Sequence, residues 1–142
     1  MALTVYPEEG FNSWISLENA EAYLSTRLNS EAWFNLGDDS DQEAALLTAF
    51  RSLSELSLDL RILESSDTSG KADALRALSQ AQCEQALHEL TRNLDAQQAL
   101  AASLGGLLSV RFQEQKKSDR YSQRALLFLR PWLSLRFIKR MR

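Results

Sequence analysis

The sequence predicts a mainly α-helical protein: a small helical bundle with one long helix, a short β-strand or hairpin element and an extended C-terminal tail. Glycine and proline, which interrupt helices, number only five and two among 142 residues. Ala, Leu, Glu, Gln and Arg, which favour helix, are abundant. The length and the 44% hydrophobic content suit one domain with its own core. We therefore expect a helical domain over residues 1–130 and a tail over residues 131–142.

The first part of the chain predicts a short extended segment followed by two short helices. LTVY at 3–6 has strand-forming residues and is stopped by Pro7. Ser16 precedes apolar residues at helical spacing, which predicts a first helix over roughly 17–28. The bulky segment SEAWFNL, residues 30–36, predicts a helical turn that the following glycine ends.

A longer helix is predicted to start at the sequence SDQE, residues 40–43. This pattern matches a capping box, in which the serine accepts a bond from the backbone amide three residues on and the glutamate bonds back. An apolar stripe continues from there to about residue 62. The sequence ESSDTSG, residues 64–70, breaks the pattern and predicts a loop.

One long helix is predicted from Lys71 to about Leu104, because helical periodicity continues there without proline or glycine. About thirty residues at ~1.5 Å each give a rod of ~45 Å, whereas a compact domain of this length has a radius of gyration of ~14 to 15 Å. The helix therefore either breaks near NLDAQQ, residues 93–98, or makes the molecule elongated.

The remaining chain predicts a strand and a last helix. Apolar and polar residues alternate in LLSVRFQ, residues 107–113, as they do in strands. A lone strand is unstable, so it needs LTVY, a partner chain or a hairpin return. The last helix is predicted to begin near Ser118 or Asp119, and Pro131 should end or kink it.

Nothing in the sequence predicts catalysis. His88 is the single histidine, and Glu84 and Arg92 lie four residues before and after it, which we interpret as a solvated polar stripe. Cys83 is interpreted as a small buried side chain. The sequence contains no glycine-rich phosphate loop, paired-cysteine metal motif or nucleophile elbow. We expect a protein that is not an enzyme and that uses no metal and no cofactor.

Charge is divided along the chain. Residues 1–110 carry 17 acids and 6 bases, a net charge of −11, while residues 111–142 carry 2 acids and 10 bases, a net charge of +8. The two parts should attract each other, within one molecule or between neighbours. No signal-peptide pattern opens the sequence, and the longest apolar run, ALLFL at 125–129, is far too short to span a membrane.

The last thirteen residues, RPWLSLRFIKRMR at 130–142, combine five bases with six large apolar side chains and contain no acid. Fully extended, they reach ~43 Å, far enough to contact another subunit. The interpretations that remain open are a docking peptide for a protein, a nucleic-acid clamp, a membrane-surface anchor and a segment folded back on the acidic body. The acidic body opposes nucleic-acid binding, and one short basic stretch is a weak membrane anchor.

Several stretches resemble a family of tailed-phage proteins. They are FNSWISLENAEAYLSTR at 11–27, EAALLTAFRSLSEL at 43–56, ALRALSQAQCEQALHEL at 74–90, LLSVRF at 107–112 and FLRPWL at 128–133. The chain is similar to head-tail connector (adaptor) proteins, a family often labelled DnaT-like single-stranded DNA-binding protein. The resemblance implies a structural virion protein of the phage neck, made in the host cytoplasm, that forms a homo-oligomeric ring, commonly a dodecamer, under the portal.

The resemblance also implies partners. These are the portal protein, a stopper or tail-completion protein at the other end, and genomic DNA that passes through the channel without specific binding; no membrane is involved. The alternative is a single-stranded DNA-binding replication protein. The residues expected to dock on the portal are Arg130, Pro131, Trp132, Leu133, Leu135, Arg136, Phe137, Ile138, Lys139 and Arg140.

Overall fold

A computed structural model describes residues 3–102 and 120–133, with the backbone alone for residues 93–102. These residues are mainly helical, as the sequence predicts. The α-helices are α1 (Leu17–Ser25), α2 (Glu31–Phe34), α3 (Asp39–Ser54), α4 (Thr68–Ala102) and α5 (Gln123–Leu129), and two 3-10 turns lie at Arg61–Glu64 and Arg130–Trp132. The strand predicted at 107–113 lies outside the described residues.

Extended backbone pairs at only two isolated points within the described ranges. Val5 forms a parallel bridge with Ser13, which ties the predicted LTVY segment to the approach to α1. Leu58 forms an antiparallel bridge with Leu133. Neither bridge extends into a strand in this part of the molecule.

Helix α1 begins where the sequence predicts and ends three residues earlier than the predicted residue 28. The Ser16 side chain caps its start by accepting a bond from the Asn19 amide at 3.2 Å. After the helix, Asn29 adopts a left-handed φ of 62°. The Ser30 hydroxyl then bonds the carbonyl oxygens of Leu24 at 2.9 Å and Arg27 at 3.0 Å. These bonds satisfy carbonyl groups at the helix end and close a tight turn.

The capping box predicted at Ser40 is wrong, because α3 already starts at Asp39. Its N-cap is Asp38, whose carboxylate accepts a bond from the Ser40 amide at 3.0 Å. The predicted end near residue 62 is also wrong. Helix α3 ends at Ser54, and the amide of Asp59 donates instead to the carbonyl of Trp132 at 2.7 Å.

Helix α4 is 35 residues long and does not break near NLDAQQ. It begins at Thr68, within the stretch predicted as a loop, because the Asp67 side chain accepts a bond from the Gly70 amide at 3.0 Å. A Cβ atom at Gly70 would lie 2.7 Å from Asp67 Oδ2 and 2.8 Å from Ile62 Cδ1. A larger residue at this position would displace the ends of these two side chains, whereas glycine leaves them room. At ~1.5 Å per residue the helix is ~52 Å long.

The middle of α4 is the centre of the fold. Residues 81–87 are all buried, so this part of the helix is surrounded on every side. One core cluster joins α4 to the first three helices around Trp33, Leu24 and Leu46. A second cluster joins it to α3 and α5 around Leu78 and Leu129. No helix in the described ranges is both long and apolar enough to cross a membrane.

Candidate functional site

The predicted docking residues divide into a group on the helical body and a group beyond the described residues. Helix α5 ends at Leu129, as Pro131 predicts, and Arg130–Trp132 form a 3-10 turn. Leu133 is partly buried against the second core cluster and pairs with Leu58. Arg130 and Pro131 are exposed beside it. Leu135, Arg136, Phe137, Ile138, Lys139 and Arg140 lie outside the described residues.

Helix α5 is held by a buried amide on α4. The predicted start near Ser118 or Asp119 is not observed; the helix begins at Gln123, and the Ser122 side chain caps it through the Ala125 amide at 3.2 Å. Gln85 Oε1 accepts a bond from the Ser122 amide at 2.8 Å. Gln85 Nε2 donates to the carbonyl of Arg120 at 3.1 Å and to Glu89 at 2.9 Å. One side chain therefore fixes the entry to the helix that leads to Leu133.

A second buried amide, Gln82, fixes the opposite part of the body. Its Oε1 accepts a bond from the Trp14 amide at 2.9 Å. Its Nε2 donates to Ser13 Oγ at 2.9 Å and to the carbonyl of Leu46 at 3.0 Å. The side chain is fully buried. It thus joins the N-terminal segment, α3 and α4 through bonds that burial makes costly to lose.

Glu84 lies at the centre of a buried cluster with Arg27 and Tyr23. The prediction that Glu84 belongs to a solvated polar stripe is therefore wrong for this residue. Its side chain is 1% exposed. Arg27 Nε lies 2.6 Å from Glu84 Oε2, and the Tyr23 hydroxyl donates to the same oxygen at 2.7 Å. Burial, followed by this hydrogen bond, raises the pKa of Tyr23, and the bond that Arg27 donates to Glu84 raises the pKa of Arg27. His88 and Arg92, on the same helix, are partly buried.

An open groove of about 360 Å³ lies beside this cluster, between the turn after α1 and the start of α5. It is lined by Tyr23, Thr26, Arg27, Leu28, Asn29 and Arg124. A second groove of about 250 Å³ shares Arg27 and Asn29 with it and reaches Glu84, Leu87, His88, Thr91 and Ser122. We call the first the basic groove. Arg27 is paired with the buried Glu84, so Arg124 supplies the unpaired positive charge among the described residues that line it.

Large apolar side chains are exposed beside the basic groove. Leu28 is 84% exposed, and Leu127 is 65% exposed. Leu127 follows Arg124 by three residues in α5, so the two side chains share a face of that helix. Sequence reasoning missed this surface. The available signal was that Arg27 is one of only six bases in the first 110 residues.

The described residues contain no group of three or more His, Cys, Asp or Glu side chains that could hold a metal ion. Cys83 is fully buried, as predicted. Burial, with a smaller effect of the Glu84 carboxylate, raises the pKa of its thiol to about 12. A thiol in this environment is a packing group and not a nucleophile.

Comparisons with family models, curated proteins and solved structures found no match to this chain.

Proposed function

We propose that this protein is a non-enzymatic subunit of a tailed-phage head-tail connector. It docks on the portal through Arg130, Pro131, Trp132 and Leu133 and through the basic and apolar segment at 134–142 that follows them. The observation that carries the proposal is the attachment at Leu133. The body is tied there by the bond from the Asp59 amide to the Trp132 carbonyl, at 2.7 Å. The nine residues that follow contain four bases, four large apolar side chains and no acid.

The rigidity of this attachment supports a mechanical role. Leu129 is fully buried in the second core cluster, and Gln85 holds the other end of the same short helix. A force on segment 134–142 would therefore be transmitted to α4, the centre of the fold. Fully extended, nine residues reach only ~30 Å, so the partner surface must lie close to Leu133.

The charge of the body supports the same role. Residues 1–110 carry a net charge of −11. A surface of this sign repels the phosphate backbone, so it suits a channel wall along which a duplex passes without binding. In this proposal the protein forms a ring between the portal and a stopper or tail-completion protein in the virion neck.

The test is native mass determination of the protein alone and mixed with the portal protein encoded in the same genome. We expect a complex with a fixed number of these chains per portal ring. Deleting residues 134–142 should abolish the complex and leave the far-ultraviolet circular dichroism unchanged, because Leu133 and its bonds are retained. The matched control keeps the composition of 134–142 and scrambles its order.

Two outcomes would overturn the proposal. In the first, the full chain ignores the portal protein. In the second, the scrambled segment binds the portal as well as the native one, which would reduce docking to nonspecific charge. Salt-sensitive binding to a single-stranded oligonucleotide, lost on deletion of 134–142, would favour the DNA-binding alternative.

A further inference from the structure

The basic groove has the chemistry of a docking site for an acidic peptide. Arg27 and Arg124 line it, and Arg124 forms no ion pair within the described residues. The apolar side chains beside it are leucines, 84% exposed at Leu28 and 65% at Leu127. Among the described lining residues Tyr23 is the one aromatic side chain, and its hydroxyl is held by the buried Glu84 carboxylate.

The chain itself contains a segment that fits this description. Residues 34–41, with the sequence FNLGDDSD, hold Asp38, Asp39 and Asp41, all exposed. Phe34 begins the segment and is 45% exposed. Among the described residues, Leu28, Phe34 and Leu127 are the large apolar side chains that face solvent most. Leu28 lines the basic groove, Leu127 lies three residues after Arg124 in α5, and Phe34 begins the acidic segment.

We propose that the basic groove of one copy receives the acidic segment 34–41 of the next copy. Arg124 faces the aspartates across the contact, the partly exposed guanidinium of Arg27 lies beside it, and the exposed leucines cover Phe34. The two surfaces are different, so the contact is head-to-tail and must close into a ring or continue as a filament. The inference rests on the proposed function for closure into a ring, and it specifies which residues join neighbouring subunits.

Charge reversal on each side tests the contact in the full chain. Arg124→Glu places a negative charge in the groove, where it repels the acidic segment. Asp39→Lys places a positive charge in the segment, where it repels the arginine of the groove. Each variant alone should need at least about tenfold more protein to assemble than the wild type does in sedimentation velocity, a loss of about 1.4 kcal/mol. Both side chains are exposed, so circular dichroism should be unchanged.

Mixing the two variants gives the sharper result. The groove of R124E then meets the lysine of D39K, and the arginine groove of D39K meets the native segment of R124E. The equimolar mixture should therefore assemble like the wild type, with the two chains alternating. Arg76→Glu and Asp73→Lys, exposed positions on α4 away from both surfaces, are the matched controls and should assemble normally.

Three results would overturn the inference: a wild-type chain that stays monomeric at high concentration, assembly that stops at two copies, or single variants that assemble normally. Failure of the proposed function is distinguishable. A wild-type chain that assembles through this contact and ignores the portal would refute the connector role alone, while portal binding insensitive to both reversals would refute this contact alone.

Discussion

Arg27 Nε lies 2.6 Å from Glu84 Oε2, which joins the turn after α1 to the middle of α4 across 57 residues of sequence. The carboxylate is buried, while the arginine side chain is 20% exposed and lines the basic groove. The arginine thus has two roles. It neutralises a buried charge, and its partly exposed guanidinium forms part of the groove wall.

Removing the charge of Glu84 should destabilise the protein. Glu84→Gln leaves Arg27 without a buried counter-ion, and we expect a loss of about 2 to 3 kcal/mol in the free energy of unfolding, since an amide oxygen still accepts one bond. Tyr23→Phe removes one hydrogen bond to the same oxygen and should cost about 1 kcal/mol. Urea denaturation measures both. Equal losses for the two variants would mean that the ion pair adds nothing to the hydrogen bond.

Stability should fall at alkaline pH. The thiol of Cys83 has its pKa raised from 9.0 to about 12, so the folded state retains a proton that the unfolded chain releases. This contribution is fully present below pH 9.0 and is lost as the pH rises toward 12. The raised pKa of Tyr23 acts in the same direction above pH 10.0.

The measurement is the free energy of unfolding at several pH values between about 8 and 10.5, where each retained proton contributes at most about 1.4 kcal/mol per pH unit. In Cys83→Ala the free energy of unfolding should begin to decline only near pH 10.0, where Tyr23 of the unfolded chain begins to lose its proton. A variant that declines from the same pH as the wild type would exclude the thiol as the cause.

Gln85→Leu should loosen α5. The substitution removes the partners of the Ser122 amide and the Arg120 carbonyl, and we expect a loss of about 2 to 3 kcal/mol. Amide hydrogen exchange within residues 123–129 should accelerate more than exchange in α3. Gln80→Leu, at a half-buried position on the same helix, is the control and should leave exchange in α5 unchanged.

Two residues, Asp38 and Ser40, are candidates for the N-cap of α3, and substitutions distinguish them. Asp38→Ala should cost about 1 kcal/mol, because it removes the side chain that accepts the Ser40 amide. Ser40→Ala should change stability by less than about 0.5 kcal/mol, because Ser40 is already helical and exposed. Thermal unfolding of both variants checks the assignment, and the reverse order of costs would restore the capping box.

Local sequence signals predicted the helices well and their ends poorly. Ser16 marks the start of α1 because a serine before apolar periodicity has one dominant use. Asp38 and Ser40 both offer an oxygen to the same turn, and spacing alone does not rank them. Helix α3 ends at Ser54, and the chain after it is held by the bond between Asp59 and Trp132, two residues 73 positions apart, which no local pattern contains.

The buried polar residues were the least predictable part. In the sequence, Gln82, Glu84 and Gln85 are typical of an exposed polar face. In the structure this part of α4 is surrounded by its neighbours, so these polar side chains are buried. Apart from Glu89, which lies four residues after Gln85, their partners lie between 35 and 69 residues away in sequence. The basic groove was missed for the same reason, since Arg27 and Arg124 become neighbours only after α1 and α5 both pack on α4.

The midpoint of α4 is Gln85, with 17 residues of helix on each side, at 68–84 and 86–102. The buried hydrogen bonds described above therefore hold α4 at its middle, and a helical half of ~26 Å extends on each side. A tilt of about 5° there moves the two ends by about 2 Å in opposite directions. A partner that displaces one end of α4 therefore moves the other end in the opposite direction, while the helix itself keeps its structure.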